Sequence, residues 1–472
     1  MGRPLPPAIR RRALLQGQLR PTRSRPSRLL YVRRTPVLCV ASALVTLALS
    51  GAASAHASTI YVLDQSGTVT ARENPLIPAG PGSELPEYPG RPLAVASAAT
   101  MPAQTATSRN LDSAVSRLAS GGAISATTRS AYKAAMSSAR NAAGRLSGQR
   151  RSELRAVIAN FDRMAKGGLV TASRLPALTE TLRRNAQWWT NGSSLGYGQR
   201  VGFSGSELVW QAYPGQGLQI QWLGTFGYMN ALWTAESKSS ELRTLAREVR
   251  ELAATRAGGV AWEYLFQFGG GRPPWVSGMA QGTAIQALAR TSDRFKDRSL
   301  MNLAKRGLGI FRTSPPSGVR LKLAHGSHYL GYSYAPGQRI YNQFYQALRG
   351  LHDLADLSGD KTARRLWLEG QSRGRYELPF SNTGSWSYYQ PGSLSTVDYH
   401  ELLRDFLRGL CDVMTVDRQR EAIALREKKG PAAVLTDFKN WPDPGPYCVM
   451  TKRFTDYLYK RLGTTAPAAA PR

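Results

Sequence analysis

The chain has 472 residues, of which 42% are hydrophobic and 9% aromatic, with a formal net charge of +31. That apolar content suffices for one large domain with attachments and excludes a chain too polar to bury a core. Residues 1–34 hold ten arginines and no acid, and the other 52 basic residues still outnumber the 31 acidic ones. Such a surplus suits acidic polysaccharide, nucleic acid or an anionic membrane, and equally reflects an arginine-rich coding sequence; it excludes no fold.

In chain order, Arg33-Arg34 precede a mostly apolar stretch from Val37 to Gly51, then Ala53-Ser54-Ala55 and Ala55-His56-Ala57. Basic flank, short apolar run and small-residue cleavage site describe a secretory signal peptide with a basic leader over residues 1–57. The run is shorter than the roughly 20 residues that span a bilayer, so no stable membrane span is expected after cleavage. The protein is expected to be exported, secreted or associated with the cell envelope. Residues 58–108 carry Pro75, Pro78, Pro81, Pro86, Pro89 and Pro92 among small residues and read as a linker, with one short strand at Ile60–Leu63.

Residues 109–194 have a helical pattern, with Leu111, Val115 and Leu118 on one face and Leu154, Val157, Ile158 and Phe161 on another. Asp112-Ser113 and Ser152-Glu153 supply start signals, and Gly121-Gly122 and Gly167-Gly168 supply stops. This predicts a small helical subdomain. From 195 to 463, helical patterns alternate with Gly/Pro/aromatic loops: Leu218–Trp233, Ser240–Ala257, Gly278–Thr291, Ser299–Phe311, Tyr341–Leu357, Asp360–Gly370, Tyr399–Met414 and Arg453–Leu462. Repeating helix pairs with little strand alternation predict a mainly α chain folded as an α/α barrel, or toroid. Residues 464–472 read as a disordered tail.

With Cys39 removed in the leader, Cys411 and Cys448 remain, either as a disulfide or as two buried thiols. Tyr329, Tyr332 and Tyr334 share one loop, Tyr388 and Tyr389 a second, and Tyr399 opens a later helix. With Trp275 and Trp386 nearby in pattern, they suit carbohydrate stacking or a structural aromatic rim. Zinc-like His/Glu spacing, G-x-S-x-G and a phosphate-binding loop are missing, so no metal or cofactor is expected. A carboxylate pair from Glu207, Glu263, Asp398, Glu401 and Asp405 leaves a hydrolase open. The basic residues are dispersed and no nucleic-acid-binding module is visible, so a nucleic-acid partner is not expected.

Four segments, in consistent order, resemble the D-glucuronyl C5-epimerase family. Tyr213-Pro214-Gly215-Gln216-Gly217-Leu218-Gln219 is similar to Y-P-x-Q-x-x-Q, and Trp275-Val276-Ser277-Gly278-Met279-Ala280-Gln281-Gly282 to W-x-S-x-x-A-Q-G. Tyr332 with Pro336, then Tyr341-Asn342-Gln343-Phe344 and Gly350-Leu351-His352-Asp353-Leu354, resembles Y-x-x-x-P before L-N-G-F and G-L-Y-D-L. Thr383-Gly384-Ser385 with Tyr389, then Asp398-Tyr399-His400, resembles T-G-S…Y and D-Y-H. The resemblance implies an α/α barrel that inverts C5 of glucuronic acid within a polymer, without cofactor. Animal members carry an intervening β-rich domain for which there is no room between Tyr228 and Ser240, as in a short prokaryotic branch. It implies Tyr332 and Tyr399 as opposed acid and base, Tyr389 assisting, and Gln216, Gln219, Trp275, Gln281, Asn342 and His400 around the substrate. The expected partner is an acidic, uronic-acid polysaccharide. Animal relatives assemble as dimers, so a homodimer is compatible with the resemblance. Three positions depart from the pattern: Gly331 replaces an acid, Gln390–Ser393 lack an arginine, and Thr396-Val397 replace Arg-Trp. Arg272, Arg339 and Arg404 are candidates for the missing positive charge. A lyase or hydrolase for acidic glycans and a non-catalytic glycan-binding protein are the alternatives.

Overall fold

The computed structural model describes residues 58–77 and 99–464; the expected signal peptide, most of the expected linker and nearly all of the tail lie outside the described residues. The first helices are α1 (Leu111–Ser120), α2 (Ala126–Arg145), α3 (Gly148–Lys166) and α4 (Leu175–Asn191). Asn110 and Ser125 cap α1 and α2 by accepting from Ser113 and Thr128 backbone N–H, which satisfies donors that a helix start otherwise leaves unpaired. The starts of α1 and α3 lie a few residues upstream of the sequence signals at Asp112 and Ser152.

Strands β1 (Ser58–Leu63) and β2 (Val69–Asn74) form an antiparallel hairpin, and β1 also pairs in parallel with β3 (Arg200–Phe203). β4 (Trp210–Tyr213) and β5 (Gly217–Ile220) complete a five-stranded sheet in the order β2-β1-β3-β4-β5. Residues 58–74 therefore belong to the sheet and not to a linker, and Ile60, Leu63 and Ile77 are buried. Nor do the helices before 194 stand apart. The Glu153 carboxylate on α3 accepts from Gly215 and Gly217 N–H, both at 2.8 Å, and Asn185 on α4 exchanges two 2.8 Å bonds with the Leu218 backbone. Gly217 has φ +71°, and a Cβ there would strike Val157 and Asn185. The expected helix from Leu218 thus starts as strand β5, and α5 covers Trp222–Thr234.

Helix pairs follow: α5 with α6 (Ser239–Glu251), α7 (Gly278–Phe295) with α8 (Arg298–Arg306), then α10 (Tyr341–Ser358) with α11 (Lys361–Glu377), and α12 (Val397–Lys429) with α13 (Gly445–Arg461). The short α9 is Gly309–Arg312. α5, α7, α10 and α12 pack side by side, each carrying its partner. Gly282 and Gly350 let α7 and α10 approach closely, since a Cβ on Gly282 would collide with Ala347 backbone. The described residues are thus mainly helical and built from helix pairs. Hairpins β6 (Ala254–Arg256) with β7 (Gly259–Ala261), β8 (Arg320–Leu323) with β9 (Gly326–Tyr329), and β10 (Tyr388–Gln390) with β11 (Ser393–Leu394) sit in the loops.

Several buried charges are paired. Glu263 receives Arg174 at 2.5 Å and Arg256 at 2.7 Å. A disulfide joins Cys411 of α12 to Cys448 of α13, with the Cα atoms 5.0 Å apart. Among the described residues no helix is long and apolar enough to cross a membrane.

Candidate active site

Two aromatic groups meet the start of α10. The first is built on the loop after β9. Ser333 N–H donates to the Val276 carbonyl at 2.9 Å, and Gly278 N–H to the Leu330 carbonyl at 3.0 Å, which lace this loop to the head of α7. Tyr332 is thereby held edge-on to Trp275, with ring centroids 5.7 Å apart, and stacked with Tyr334 at 5.4 Å. Trp275 in turn stacks on Tyr264 at 4.2 Å and donates its indole N–H to the Phe266 carbonyl at 2.8 Å.

The second group comes from β10 and the first turn of α12. The β10–β11 register is irregular across Tyr389, with Tyr388 opposite Leu394 and Gln390 opposite Ser393. Such irregularities re-aim side chains. The Tyr389 ring meets that of Tyr399 at 4.8 Å in a T-shaped contact. Tyr399 lies in the first turn of α12, whose cap Thr396 accepts from the Tyr399 N–H at 3.4 Å. Tyr332, Tyr389 and Tyr399 are 9%, 7% and 8% exposed.

Gln343, which the sequence reading passed over, touches the site directly. Its Nε2 donates to the Tyr332 hydroxyl at 3.3 Å, while its buried Oε1 has no hydrogen-bond partner. A Cβ at Gly331 would collide with this same amide. The Gln343 side chain therefore fills the place an acidic residue at 331 would need, and the signal for it was the glycine beside Tyr332. The Oε1 atom of Gln390, next to Tyr389, is likewise buried and unpartnered.

Several expected substrate contacts are structural instead. Gln281 gives its Nε2 to the Val260 and Gly307 carbonyls, both at 3.0 Å, and its Oε1 faces Trp262 N–H at 3.4 Å, so its amide is engaged within the framework. His400 is fully buried, stacked on Trp386 at 3.7 Å, with Nε2 on the Phe454 carbonyl and Nδ1 on the Ser387 hydroxyl, each at 2.8 Å. Burial holds its pKa down to about 4, so it is a neutral strut. Gln219 is buried on β5 and donates to the Gln216 carbonyl at 2.6 Å. Gln216 is half-exposed and accepts from Gln267 N–H at 3.2 Å. Asn342 is buried, its Oδ1 accepting from Gln343 N–H at 2.8 Å. Among the candidate arginines, Arg272 is exposed and Arg404 pairs with Asp405 at 2.9 Å.

A cavity of about 420 Å³ opens beside these groups, lined by Arg339, Tyr341, Arg373, Glu377, Phe380 and Tyr388 among others. The three tyrosines of the site are not in its wall, whereas Tyr388, adjacent to Tyr389 on β10, is. Among the described residues no three His, Cys, Asp or Glu side chains converge as a metal-binding group.

Residues 258–426 match the family model described as the D-glucuronyl C5-epimerase C-terminus. A D-glucuronyl C5-epimerase of Caenorhabditis elegans is 31% identical over 149 residues, covering 27% of this chain and 24% of the relative, so the match spans about a quarter of that protein. An endo-β-1,4-glucanase, CMCax, from Acetobacter xylinum superposes with a TM-score of 0.32 at 11% identity, over 51% of this chain and 90% of that one. A superposition so loose carries no argument.

Proposed function

We propose that the protein, whose residues 258–426 match the model of the D-glucuronyl C5-epimerase C-terminus, inverts C5 of D-glucuronosyl units in an acidic polysaccharide. Its helix pairs, on this reading, close as an α/α barrel whose rim holds Tyr332, Tyr389 and Tyr399. The observation that supports the reading is that Tyr332, Tyr389 and Tyr399 all lie within the matched segment, on the loop after β9, on β10 and in the first turn of α12. One tyrosine, as its phenolate, takes the C5 proton and becomes a phenol, leaving an electron pair delocalised into the adjacent carboxylate. The other, which starts as a phenol and ends as the phenolate, returns a proton from the opposite face, so atoms and charge balance without oxidant, metal or cofactor. Tyr332 and Tyr399 take these two roles, and Tyr389, against the Tyr399 ring, assists. The first turn of α12 brings backbone N–H groups near Tyr399, and their partial positive charge favours the anion that builds up during abstraction. Gln343, on the Tyr332 hydroxyl, orients that phenol.

The protein is read as exported, on the strength of the leader sequence, and its working substrate is therefore an extracellular or envelope glycan. Incubation of the purified protein with heparosan in heavy water tests the reaction. Deuterium entering C5 with chain length preserved is the expected result. Unsaturated chain ends would instead mark a lyase, shortened saturated chains a hydrolase, and retained binding without exchange a non-catalytic glycan-binding protein; each outcome would overturn the epimerase reading.

A further inference from the structure

The cavity at the head of α10 has a chemistry of its own. Two guanidinium groups line it. Arg373 is buried, with Nε on Glu377 at 2.6 Å and Nη1 on the Ala324 carbonyl at 2.8 Å, and its Nη2 makes no hydrogen bond among the described residues. Arg339 is half-buried and makes no hydrogen bond or ion pair with any described residue. The one carboxylate in the wall, Glu377, is already held by Arg373 and by His328 Nδ1 at 2.8 Å. Burial works against its ionisation, but those two contacts outweigh it and keep the carboxyl below the usual range. Glu377 thus offsets Arg373 and leaves the Arg339 charge uncancelled.

The backbone adds to this charge. α10 begins in the cavity wall at Tyr341, and its N-cap is Ile340, whose side chain makes no cap hydrogen bond. The first-turn N–H groups therefore present partial positive charge on the same side as Arg339. The rim is aromatic: Phe380 is 57% exposed and Tyr376 43%, their centroids 5.5 Å apart, with Tyr388 closing the wall. A cationic floor under exposed rings is complementary to a sugar that bears a carboxylate on one side and a C–H face on the other. The volume falls within the roughly 300–1,000 Å³ typical of small-ligand sites.

We propose that this cavity is a second saccharide site, which anchors a uronic-acid unit of the polymer through Arg339 and Arg373 while Phe380 stacks on its ring. The identity of the polymer rests on the epimerase reading; the binding chemistry does not depend on the three tyrosines. Tyr388 lines this site and Tyr389 packs on Tyr399, so strand β10 carries residues of both the anchor and the proposed reaction centre.

Calorimetric titration with a heparosan hexasaccharide tests the anchor, with a carboxyl-reduced hexasaccharide as control. R339Q is expected to weaken binding roughly tenfold or more, as for loss of a charge-assisted hydrogen bond. F380A is expected to weaken it about three- to tenfold, in line with loss of an aromatic contact. Neither residue supports the fold, so both variants should melt as the parent does. The carboxyl-reduced sugar should bind weakly and respond little to R339Q. Parent-like affinity in both variants, equal affinity for the reduced sugar, or no binding by the parent would overturn the proposal. Y332F separates the two readings: full-rate C5 exchange by Y332F would sink the reaction assignment while leaving the anchor intact, and parent-like affinity in R339Q would sink the anchor while leaving the reaction assignment intact.

Discussion

The two ends of α10 bury polar groups in opposite ways. Toward its C-terminus, Asp353 receives Arg290 at 2.6 Å and Arg349 at 2.8 Å, and His352 bridges Asp353 at 3.1 Å and Asp417 at 2.8 Å. Gln286 adds a 2.8 Å bond to the same carboxylate. Charges and partners match, and the network locks α7, α10 and α12 together. At the N-terminus, among the described residues, Gln343 Oε1 and Gln390 Oε1 are buried without partners and Arg339 has no ion pair. Buried polar groups in folded proteins are nearly always satisfied, so these atoms point to a candidate site at this end, although unpartnered buried atoms also occur elsewhere, on Arg117, Arg200 and Trp210. One end of the helix is framework, the other is the proposed site.

The largest expected effects test that division. Y332F and Y399F should each lower C5 exchange by about 10²- to 10⁴-fold, the range for loss of a general acid or base, with melting temperature nearly unchanged. D353N should do the reverse. It leaves two buried arginines without their counter-charge and His352 with Asp417 alone, and is expected to cost about 3–5 kcal/mol in denaturant unfolding, while exchange per folded molecule stays at the parent level. If D353N instead abolished exchange in folded protein, the framework end would have to be counted as part of the site.

Smaller effects sharpen the same contrast. Q343L removes the hydrogen bond to the Tyr332 hydroxyl together with a buried amide that has an unpartnered oxygen. Exchange should fall about tenfold through kcat, with stability unchanged or slightly raised. Parent-like kcat would show that Gln343 only fills space beside Gly331.

The smallest effects concern pH. Burial pushes the His352 pKa down, but its bonds to Asp353 and Asp417 prevail and raise it to about 9 from 6.5. Its contribution to stability is therefore complete below pH 6.5 and is lost as pH rises through about 9. His400, held near pKa 4 by burial, contributes fully above its ordinary 6.5 and loses that contribution as pH falls toward 4. Thermal melts across pH should show both limbs, and H352N should flatten the alkaline one. A profile that declined only on the acid side would mean that His352 is not charged in the folded protein.

Which parts were legible in the sequence follows from the range of the forces involved. α6 was visible because Leu242, Leu245 and Val249 recur at helical spacing and are all buried. β5 was not, because Gly217–Ile220 is buried throughout and shows no alternation. The strand at Ile60–Leu63 was legible and is part of β1, whereas β2 was taken for linker because the hairpin's partner β3 lies more than a hundred residues away in the chain. α12 was read as ending at Met414 because its extension to Lys429 is largely polar and exposed. At the site, motifs flagged the tyrosines and Trp275; Tyr332 packs on Trp275, and Tyr389 on Tyr399. The same motifs could not show that Gln281 is held by the Val260 and Gly307 carbonyls, or His400 by the Phe454 carbonyl and the Ser387 hydroxyl, partners that no local pattern reveals. The cavity was out of reach for a related reason: Arg339, Arg373 and Tyr388 come from three separate segments.

The central claim is that Tyr332 and Tyr399 serve opposite faces of one sugar ring, and epimer-resolved exchange addresses it most directly. Polymers enriched in D-glucuronosyl or in L-iduronosyl units would be incubated in heavy water with Y332F and with Y399F, and early C5 deuterium uptake followed by NMR. The account predicts mirrored defects, each variant retaining exchange on one epimer and losing it on the other. Identical losses on both epimers in both variants, or full exchange in either, would contradict it.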